Sequence, residues 1–281
     1  MEKKVQRNFL WIALLVLGTI WILARHNQVT PYQTDNGLIF GTVYKVTYQC
    51  DQNLKAEIEA ELKRFDGSLS PFNDTATITR INRNEDIVPD TFFTNVFRRS
   101  MEISRETDGA FDITVAPLAN AWGFGFKKGN FPDSAMIDSL LEMTGYEKVE
   151  LSDEGKVMKT DPRIMLSCSA VAKGYAVDVI AQLLKKKGIR NFMVDIGGEV
   201  VVHGQNPQNG PWRIGLNKPI DDSLAVNQEL QAVLQVTDLG MATSGNYRNY
   251  YYKDGKKYAH TIDPRTGYPV QHSILSAPVI A

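Results

Sequence analysis

The chain has 281 residues, which is long enough for one large domain or two smaller ones with an ample hydrophobic core. Its formal net charge is −1, with 31 Lys and Arg residues spread among 32 Asp and Glu residues, so the composition does not favour a nucleic-acid-binding protein. The 2 cysteines, Cys50 and Cys168, lie outside any CxxC or Cys/His cluster, which argues against a zinc site or a disulfide framework and leaves a single bridge open.

The N-terminus combines basic residues with an apolar run. Lys3, Lys4 and Arg7 precede Phe9 to Ala24, a run whose length lies between the core of a signal peptide and the about 20 residues of a spanning helix. Both fates are open, but the absence of an Ala-x-Ala site directly after the run favours an uncleaved membrane anchor helix. The positive-inside rule then places the rest of the chain outside the cytoplasm.

Hydrophobic periodicity and turn residues divide the remainder into a linker and one folded domain. The predicted organisation is residues 1–8 as a cytoplasmic n-region, 9–25 as signal anchor or signal peptide, 26–37 as linker and 38–281 as the domain. Within the domain the pattern predicts strands at 38–49, 145–166 (around a turn), 191–202, 210–216, 228–237 and 275–281, a hairpin at 253–255, helices at 53–65, 91–107, 133–143 and 170–187, and a long irregular loop at 66–82.

The stretch from Ser169 to Asp178 has the features of a binding site. Ser169 can cap a helix, Ala170 and Gly174 leave the backbone approachable, and Lys173 is a lysine in a largely apolar setting. Free amide groups in a first helical turn carry partial positive charge and favour an anionic ligand such as a phosphate. Close packing of the helix on a sheet through the same small residues is the alternative, and these residues alone leave both open.

Two further stretches contain polar or aromatic residues that could take part in binding or catalysis. Gly109 to Pro117, followed by Trp122 to Phe126, places the carboxylate of Asp112 among small and aromatic residues, which suits either a flat ring ligand or ordinary packing. His260 and Asp263 lie beside a Pro-Arg-Thr-Gly turn, a pattern that fits a general base with a turn-stabilising carboxylate and equally fits a structural histidine. Because the chain has no full GxGxxG, Walker A or HExxH motif, a Rossmann-type nucleotide enzyme is disfavoured.

Seven short motifs from residue 40 to the end of the chain resemble, in order, the ApbE family of FAD:protein FMN transferases. They are Gly41-Thr42-x-Tyr44, the Leu69-Ser70-x-Phe72 loop ending at Asn82, Gly109-Ala-Phe-Asp-Ile-Thr114, Ala172-Lys-Gly-Tyr-Ala-Val-Asp178, Ile196-Gly-Gly198, Ala242-Thr-Ser-Gly-x-Tyr247 and His260-x-Ile-Asp-Pro-x-Thr-Gly-x-Pro269. The resemblance implies an α+β fold of mixed, largely antiparallel sheets packed with helices.

The resemblance also implies an activity and a set of site residues. The family uses Mg²⁺ to cleave FAD and transfers FMN through its phosphate to a Ser or Thr hydroxyl of a target protein, with AMP leaving. Its usual targets are membrane flavoproteins of respiratory or extracytoplasmic electron transfer, so a bacterial inner-membrane enzyme with a periplasmic domain is implied. By motif position, the FAD neighbours are Phe40, Phe72, Ala110, Phe111, Asp112, Ser167, Lys173 and Ile262, the carbonyl of Ala170 is a Mg²⁺ ligand, and His260 is the candidate general base.

Lys173 together with Mg²⁺ would neutralise the diphosphate, and Phe72 and Phe111 could stack on flavin or adenine. The family usually has Asp where this chain has Ser167, so one polar contact to FAD is expected to be weaker or served differently. The family's carboxylate and threonine metal ligands lie a little beyond Ala281, so the chain as given is expected to have an incomplete Mg²⁺ site and weak or no transferase activity. Two other functions stay open: a hydrolase that splits FAD without a protein acceptor, and a non-catalytic, membrane-tethered flavin-binding protein.

Overall fold

The computed structural model describes Trp11 and residues 15–19, 30–127, 131–220 and 229–281. Within the predicted anchor at 9–25, the described residues are Trp11 and 15–19, and they are helical; residues 1–8 and the remainder of the anchor lie outside the described residues. In the described part of the chain, no helix is both long enough and apolar enough to cross a membrane. The anchor therefore stays a prediction.

The folded part is a mixed α+β structure, and its main sheet has six strands in the order β1-β2-β5-β6-β9-β12, antiparallel throughout. Three two-stranded antiparallel ribbons, β3-β4, β7-β8 and β10-β11, accompany it. The strands are β1 Tyr32–Ile39, β2 Thr42–Gln49, β3 Val149–Leu151, β4 Val157–Lys159, β5 Phe192–Ile196, β6 Glu199–His203, β7 Trp212–Asn217, β8 Leu230–Val236, β9 Leu239–Gly245, β10 Tyr250–Lys253, β11 Lys256–Ala259 and β12 Ser276–Ile280. The helices are α1 Lys55–Leu69, α2 Thr77–Asn82, α3 Thr91–Glu106, α4 Ala116–Ala121, α5 Ser134–Leu141 and α6 Ser169–Lys186.

The main core lies between the sheet and helices α1, α3 and α6. Alternate residues of β2 and β5 point into it, as the period of two for a half-buried strand requires; they are Tyr44, Val46, Tyr48, Phe192, Val194 and Ile196. Helix α3 begins where the Asp90 carboxylate accepts a hydrogen bond from the backbone N–H of Phe93, and it buries Phe93, Val96 and Phe97. These packed faces hold α6 against β5 and β6 and so fix the position of its first turn.

Two segments predicted as single strands are hairpins. The segment predicted as 38–49 turns at Phe40 and Gly41, which have φ angles of 52° and 71°, and this turn pairs β1 with β2. Strand β1 begins at Tyr32, so part of the segment predicted as linker belongs to the sheet. The segment predicted as 191–202 likewise turns at Gly197 and Gly198, with φ angles of 64° and 97°. Glycine adopts positive φ values at little cost. Gly41, Gly197 and Gly198 therefore let the chain reverse direction within segments that were predicted as single strands.

Two local predictions about polar residues are also wrong. The predicted irregular loop at 66–82 contains the end of α1 and the whole of α2, which leaves 70–76 as the connection. Ser169 is the first residue of α6 rather than its cap: Cys168 occupies the N-cap position, and no side chain caps the helix. The helices predicted at 91–107, 133–143 and 170–187 are confirmed with small shifts at their ends. Both cysteines are free thiols.

Candidate active site

The segment 167–173, named here the α6 entrance, is tied to two other predicted motifs by hydrogen bonds. The backbone N–H of Ser167 donates to the carbonyl oxygen of Ile113 at 2.7 Å. The side chain of Asn82 binds both backbone groups of Leu166, donating to its carbonyl oxygen at 2.9 Å and accepting from its N–H at 2.7 Å. The motifs around 82, 112 and 170 therefore form one structural unit.

Lys173 is paired with a carboxylate that the sequence analysis did not assign to the site. Its Nζ lies 3.0 Å and 2.8 Å from the two carboxylate oxygens of Glu199, whose side chain is only 13% exposed. Glu199 directly follows the Gly197-Gly198 turn, and this carboxylate after a double glycine is the signal that could have identified it. An incoming diphosphate would have to compete with Glu199 for the lysine.

The Gly197-Gly198 turn also touches the β1-β2 turn. The N–H of Gly197 donates to the carbonyl oxygen of Val43 at 3.0 Å, and a Cβ at Gly197 would lie 2.8 Å from Cγ2 of Thr42. Only glycine fits this contact without displacing its neighbour. The carboxylate of Asp195 accepts a hydrogen bond from the N–H of Gly198 at 3.0 Å, and burial raises the pKa of Asp195.

Phe40 lies on the β1-β2 turn and is half-buried. Its ring packs against Phe65 of α1 with 5.5 Å between centroids, and Phe65 in turn lies 5.6 Å from Tyr175 of α6. This aromatic chain joins the Phe40 turn to the helix that carries Lys173. Phe40 is therefore held in a defined position relative to the α6 entrance, as an FAD neighbour would have to be.

The predicted residues 110–112 divide into one buried and two more accessible positions. Asp112 is buried, and its Oδ1 accepts hydrogen bonds of 2.7 Å from both the N–H and the hydroxyl of Thr114. Burial raises the pKa of Asp112, and its bonds to Thr114 oppose that rise. Phe111 is half-buried against the core and Ala110 is exposed. In this structure Asp112 caps the turn at Ile113–Val115.

His260 follows β11 directly and is fixed by one carbonyl group. Its backbone N–H donates to the carbonyl oxygen of Asn249 at 3.1 Å, and Nδ1 lies 3.2 Å from the same oxygen. Because a carbonyl can only accept, Nδ1 carries the hydrogen and Nε2 keeps its lone pair. Although the residue is exposed overall, partial desolvation lowers the pKa of His260, and the positive charge of Lys173 lowers it further. His260 is therefore neutral near pH 7, as a general base must be.

The last two predicted FAD neighbours lie outside this group of contacts. The ring of Phe72 is 76% exposed on the connection between α1 and α2. Ile262 is buried in a separate apolar cluster with Leu118, Trp122 and Ile137, and its backbone bridges to Pro269. The structure thus joins the α6 entrance, the Phe40 turn, the 110–114 segment and, through the charge of Lys173, His260.

A metal site is not evident from protein side chains. The described residues contain no group of three or more His, Cys, Asp and Glu that could hold a metal ion. The candidate ligand Ala170 lies on the exposed first turn of α6, with the hydroxyls of Ser167 and Ser169 3.2 Å apart beside it. Mg²⁺ commonly keeps several waters and binds substrate phosphates, so this oxygen-only surface fits Mg²⁺ only as part of a shell completed by substrate and water.

Comparisons with known proteins agree with the resemblance. Residues 40–281 match the model of the ApbE family. The chain is 34% identical over 275 residues to the FAD:protein FMN transferase of Haemophilus influenzae, covering 92% of this chain and 79% of that protein. It is 34% identical over 262 residues to the FAD:protein FMN transferase of Salmonella typhimurium, covering 89% of this chain and 74% of that protein.

Solved structures agree as well. Flavin transferase ApbE from Vibrio cholerae matches with a TM-score of 0.79 at 31% identity, covering 89% of this chain and 82% of that one. The apo form of Pseudomonas stutzeri flavinyl transferase ApbE matches with a TM-score of 0.78 at 29% identity, covering 89% and 80%. These similarities confirm the predicted α+β fold and the predicted enzyme class, a transferase. The chain therefore belongs to the ApbE family.

Proposed function

We propose that the chain transfers FMN from FAD to a Ser or Thr hydroxyl of a target protein and releases AMP. The observation that carries the proposal is His260, a neutral imidazole with Nε2 free, placed within the electrostatic influence of Lys173. A base beside a cation is the combination that attack by a hydroxyl on a diphosphate requires. The names of the relatives from Haemophilus influenzae and Salmonella typhimurium support the transfer of FMN from FAD to a protein.

The proposed chemical step is a displacement at the phosphorus of the FMN half of FAD. The acceptor hydroxyl oxygen attacks the phosphorus of the FMN half of FAD, and the bond from that phosphorus to the bridging oxygen breaks. The hydroxyl proton passes to Nε2 of His260, and AMP leaves with the bridging oxygen. Lys173 exchanges part of its pairing with Glu199 for the diphosphate and so stabilises the negative charge that develops there.

Mg²⁺ is part of the proposal, with the Ala170 carbonyl as its protein ligand and substrate phosphate and water as the others. The ion would neutralise charge on the diphosphate. The remaining FAD contacts are proposed for Phe40, Phe72, Ala110, Phe111, Asp112, Ser167 and Ile262. Ser167 has a short neutral side chain, so its contribution to binding is a hydrogen bond from a hydroxyl rather than an ionic contact.

The location of the chain is also proposed from its sequence. Lys3, Lys4 and Arg7 ahead of the apolar run from Phe9 to Ala24 support an inner-membrane anchor with the domain on the periplasmic side. The targets would then be extracytoplasmic flavoproteins of electron transfer. Cell fractionation tests this: the chain is expected in the membrane fraction and accessible to protease added to spheroplasts, and recovery with cytoplasmic markers would contradict it.

The activity is tested by incubating the purified chain with FAD, Mg²⁺ and a protein that Vibrio cholerae flavin transferase ApbE flavinylates. Attached flavin is measured by in-gel fluorescence and intact mass, and AMP by chromatography. Equimolar attached FMN and AMP are expected, and EDTA should abolish both. AMP and free FMN without attachment would indicate a hydrolase, and FAD binding without AMP would indicate a non-catalytic flavin-binding protein.

A further inference from the structure

We propose that the α6-β5 corner binds the anionic lipid surface of the membrane beside the predicted anchor. The corner consists of residues 185–190, Lys-Lys-Lys-Gly-Ile-Arg, which carry four cations and no acidic side chain. The inference rests on the proposed location of the chain, because it names the surface by which an anchored domain would face the bilayer.

The chain enters the folded domain beside this corner. The carbonyl oxygen of Thr30 accepts a hydrogen bond from Nε2 of Gln49 at 2.9 Å, and Oε1 of Gln49 accepts one from Nδ2 of Asn191 at 2.6 Å. The backbone N–H of Gln49 also donates to the carbonyl oxygen of Asn191 at 2.9 Å. Asn191 directly follows Arg190, so Thr30 is held close to the corner.

The connection between the predicted anchor and this entry point is short. The apolar run ends at Ala24, six positions before Thr30. Even a fully extended chain of that length spans at most about 20 Å. With the run in the bilayer, Thr30 lies within that distance of the membrane surface. The corner is then among the parts of the domain nearest to the membrane.

Three of the four cations at the corner are unpaired. Lys187 forms an ion pair of 2.6 Å with Glu57 of α1. Within the described part of the chain, no carboxylate lies within ion-pair distance of Lys185, Lys186 or Arg190. All three of these residues are exposed, so their charges are open to an external anion.

The basic side chains are not needed to close the end of α6. Backbone N–H groups of residues 187–189 donate to carbonyl groups of residues 183–185, which completes the last turn without any side chain. The helix dipole favours cations in the last turn, but its effect does not extend to Arg190, which lies beyond the end of the helix. The cluster therefore exceeds what the helix itself requires.

Acidic residues near the corner leave these cations unpaired. The carboxylate of Asp238 accepts a hydrogen bond from the N–H of Gly204 at 2.9 Å and lies 3.7 Å from Nε2 of His203. Nδ1 of His203 lies 2.6 Å from the carbonyl oxygen of Arg190, which places this pair beside the corner. Asp51 is an exposed carboxylate near the entry point and lowers the net charge there without pairing with the corner.

An anionic bilayer is the occupant that fits both the charge and the position. Anionic phospholipids give the membrane surface a negative potential that attracts exposed Lys and Arg side chains and decays within a Debye length. The attraction of three such side chains is weak by itself. An anchor that holds the domain at the surface raises the effective concentration of the lipid headgroups, so the corner can orient the domain.

This contact would turn the candidate active site away from the membrane. Helix α6 has 18 residues and rises about 1.5 Å per residue, so the corner lies about 25 Å from the α6 entrance. Strand β1 runs in the same sense, because it begins at Tyr32 beside the entry point and ends at Ile39, directly before the Phe40 turn. The site would then face an acceptor that stands away from the bilayer.

The test uses the full chain in lipid nanodiscs of phosphatidylcholine, alone or with about one-third phosphatidylglycerol. Lysines are acylated briefly with an uncharged reagent, and the rate at each lysine is measured by peptide mass spectrometry. Lys185 and Lys186 are expected to react about threefold more slowly in the anionic discs, because headgroups shield them and keep them protonated. High salt should remove the difference. Lys253, an exposed lysine of the β10-β11 hairpin, is the internal control and should react equally in both discs.

The double variant Lys186→Gln with Arg190→Gln leaves Lys185 as the reporter. Its slowing in anionic discs should fall below about 1.5-fold, because two of the three unpaired charges are gone. The matched control is Arg248→Gln with Lys256→Gln, which removes one Arg and one Lys charge from exposed residues on and beside the hairpin, and it should keep the threefold effect. Thermal unfolding confirms that each variant is folded.

Equal rates at Lys185 and Lys186 in the two kinds of disc would overturn the inference and leave the anchor and FMN transfer standing. Equal slowing of Lys253 would overturn it as well, because the domain would then have no preferred orientation. A chain that enters neither disc would contradict the proposed location and the inference together. Protected corner lysines without FMN transfer in the same discs would instead contradict the proposed activity and leave the membrane-binding surface standing.

Discussion

The α6 entrance and the β10-β11 hairpin hold their cations in different ways. Lys173 is bound by both oxygens of Glu199, a carboxylate that is only 13% exposed. Lys253 and Lys256 lie on aromatic rings, and Lys253 approaches the Phe131 centroid to 3.4 Å. The ion pair fixes the direction of Lys173 before the substrate arrives but requires an exchange of partners. The two hairpin lysines lie over rings, which attract a cation without neutralising its charge.

The largest expected effect is at His260, where the two regions meet. His260→Gln removes the proposed base, and kcat for FMN transfer should fall by about 10²- to 10⁴-fold with little change in FAD affinity. His272→Gln, at an exposed histidine, is the matched control and should retain activity. Transfer assays and flavin fluorescence titrations measure the two quantities. Comparable kcat values for the two variants would remove His260 from the mechanism.

The second expected effect distinguishes Lys173, which is paired with a carboxylate, from Lys253, which lies on an aromatic ring. Lys173→Met with Glu199→Gln removes the cation without leaving a carboxylate unpaired, and kcat/KM for FAD should fall about 10²-fold. The charge of Lys173 lowers the pKa of His260, so the single variant Lys173→Met, which removes that charge alone, should raise that pKa. Because the active form of His260 is neutral, the acidic limb of the pH profile should move to higher pH.

Lys253→Met is the control for this shift, because it removes the same charge from the far end of the hairpin. Its acidic limb is expected to coincide with that of the parent chain, since separated exposed charges are screened by salt. If the acidic limb moved by the same amount in the two variants, the charge of Lys173 would have no special effect on the pKa of His260.

A third prediction concerns the turn that supports Glu199. Gly197→Ala forces a side chain into a φ of 64° and places its Cβ 2.8 Å from Cγ2 of Thr42, so unfolding free energy should fall by about 1–3 kcal/mol. Gly174→Ala makes the same change within α6, where nothing lies within 4 Å, and should stabilise the protein by about 0.5–1 kcal/mol. Chemical denaturation compares them. Equal stability would mean that the turn tolerates a Cβ.

The smallest expected effect is at Glu199 alone. Glu199→Gln keeps the length of the side chain but removes its charge, so Lys173 should bind the FAD diphosphate more readily. KM for FAD is expected to fall by about threefold, a modest change because the pair is partly exposed to solvent. A lower kcat should accompany it, since Lys173 loses its orientation. Steady-state kinetics separates the two parameters, and an unchanged KM would indicate that Lys173 does not contact the diphosphate.

Much of the fold could be predicted because local patterns agree with it. The apolar spacing of Phe93, Val96 and Phe97 predicted α3, and the apolar spacing of 170–187 predicted α6 to within one residue at each end. Segments in which two strands are joined by a positive-φ turn were harder to predict from the sequence. The runs at 38–49 and 191–202 remain apolar through Phe40-Gly41 and Gly197-Gly198, so periodicity alone did not reveal either reversal.

In the site, too, the residues with local motifs were predicted and their distant partners were not. Lys173 and His260 were identified from their motifs, but their partners were not, because Glu199 and Asn249 reach them only through sheet pairing and the turn before β10. Hydrogen bonding to Asn249 decides which nitrogen of His260 is free. No spacing rule in the sequence contains that information.

The sequence by itself determined the family, the mixed α+β fold, the main helices and the two residues on which the proposed chemistry depends. These follow from short motifs and from periodicity, which are properties of neighbouring residues. Only the tertiary structure decided that Lys173 is neutralised by Glu199 whereas Lys253 and Lys256 lie on rings. The partner of a charge is chosen by distance in the folded chain, and residues that are far apart in sequence become neighbours only when the sheet and helices pack.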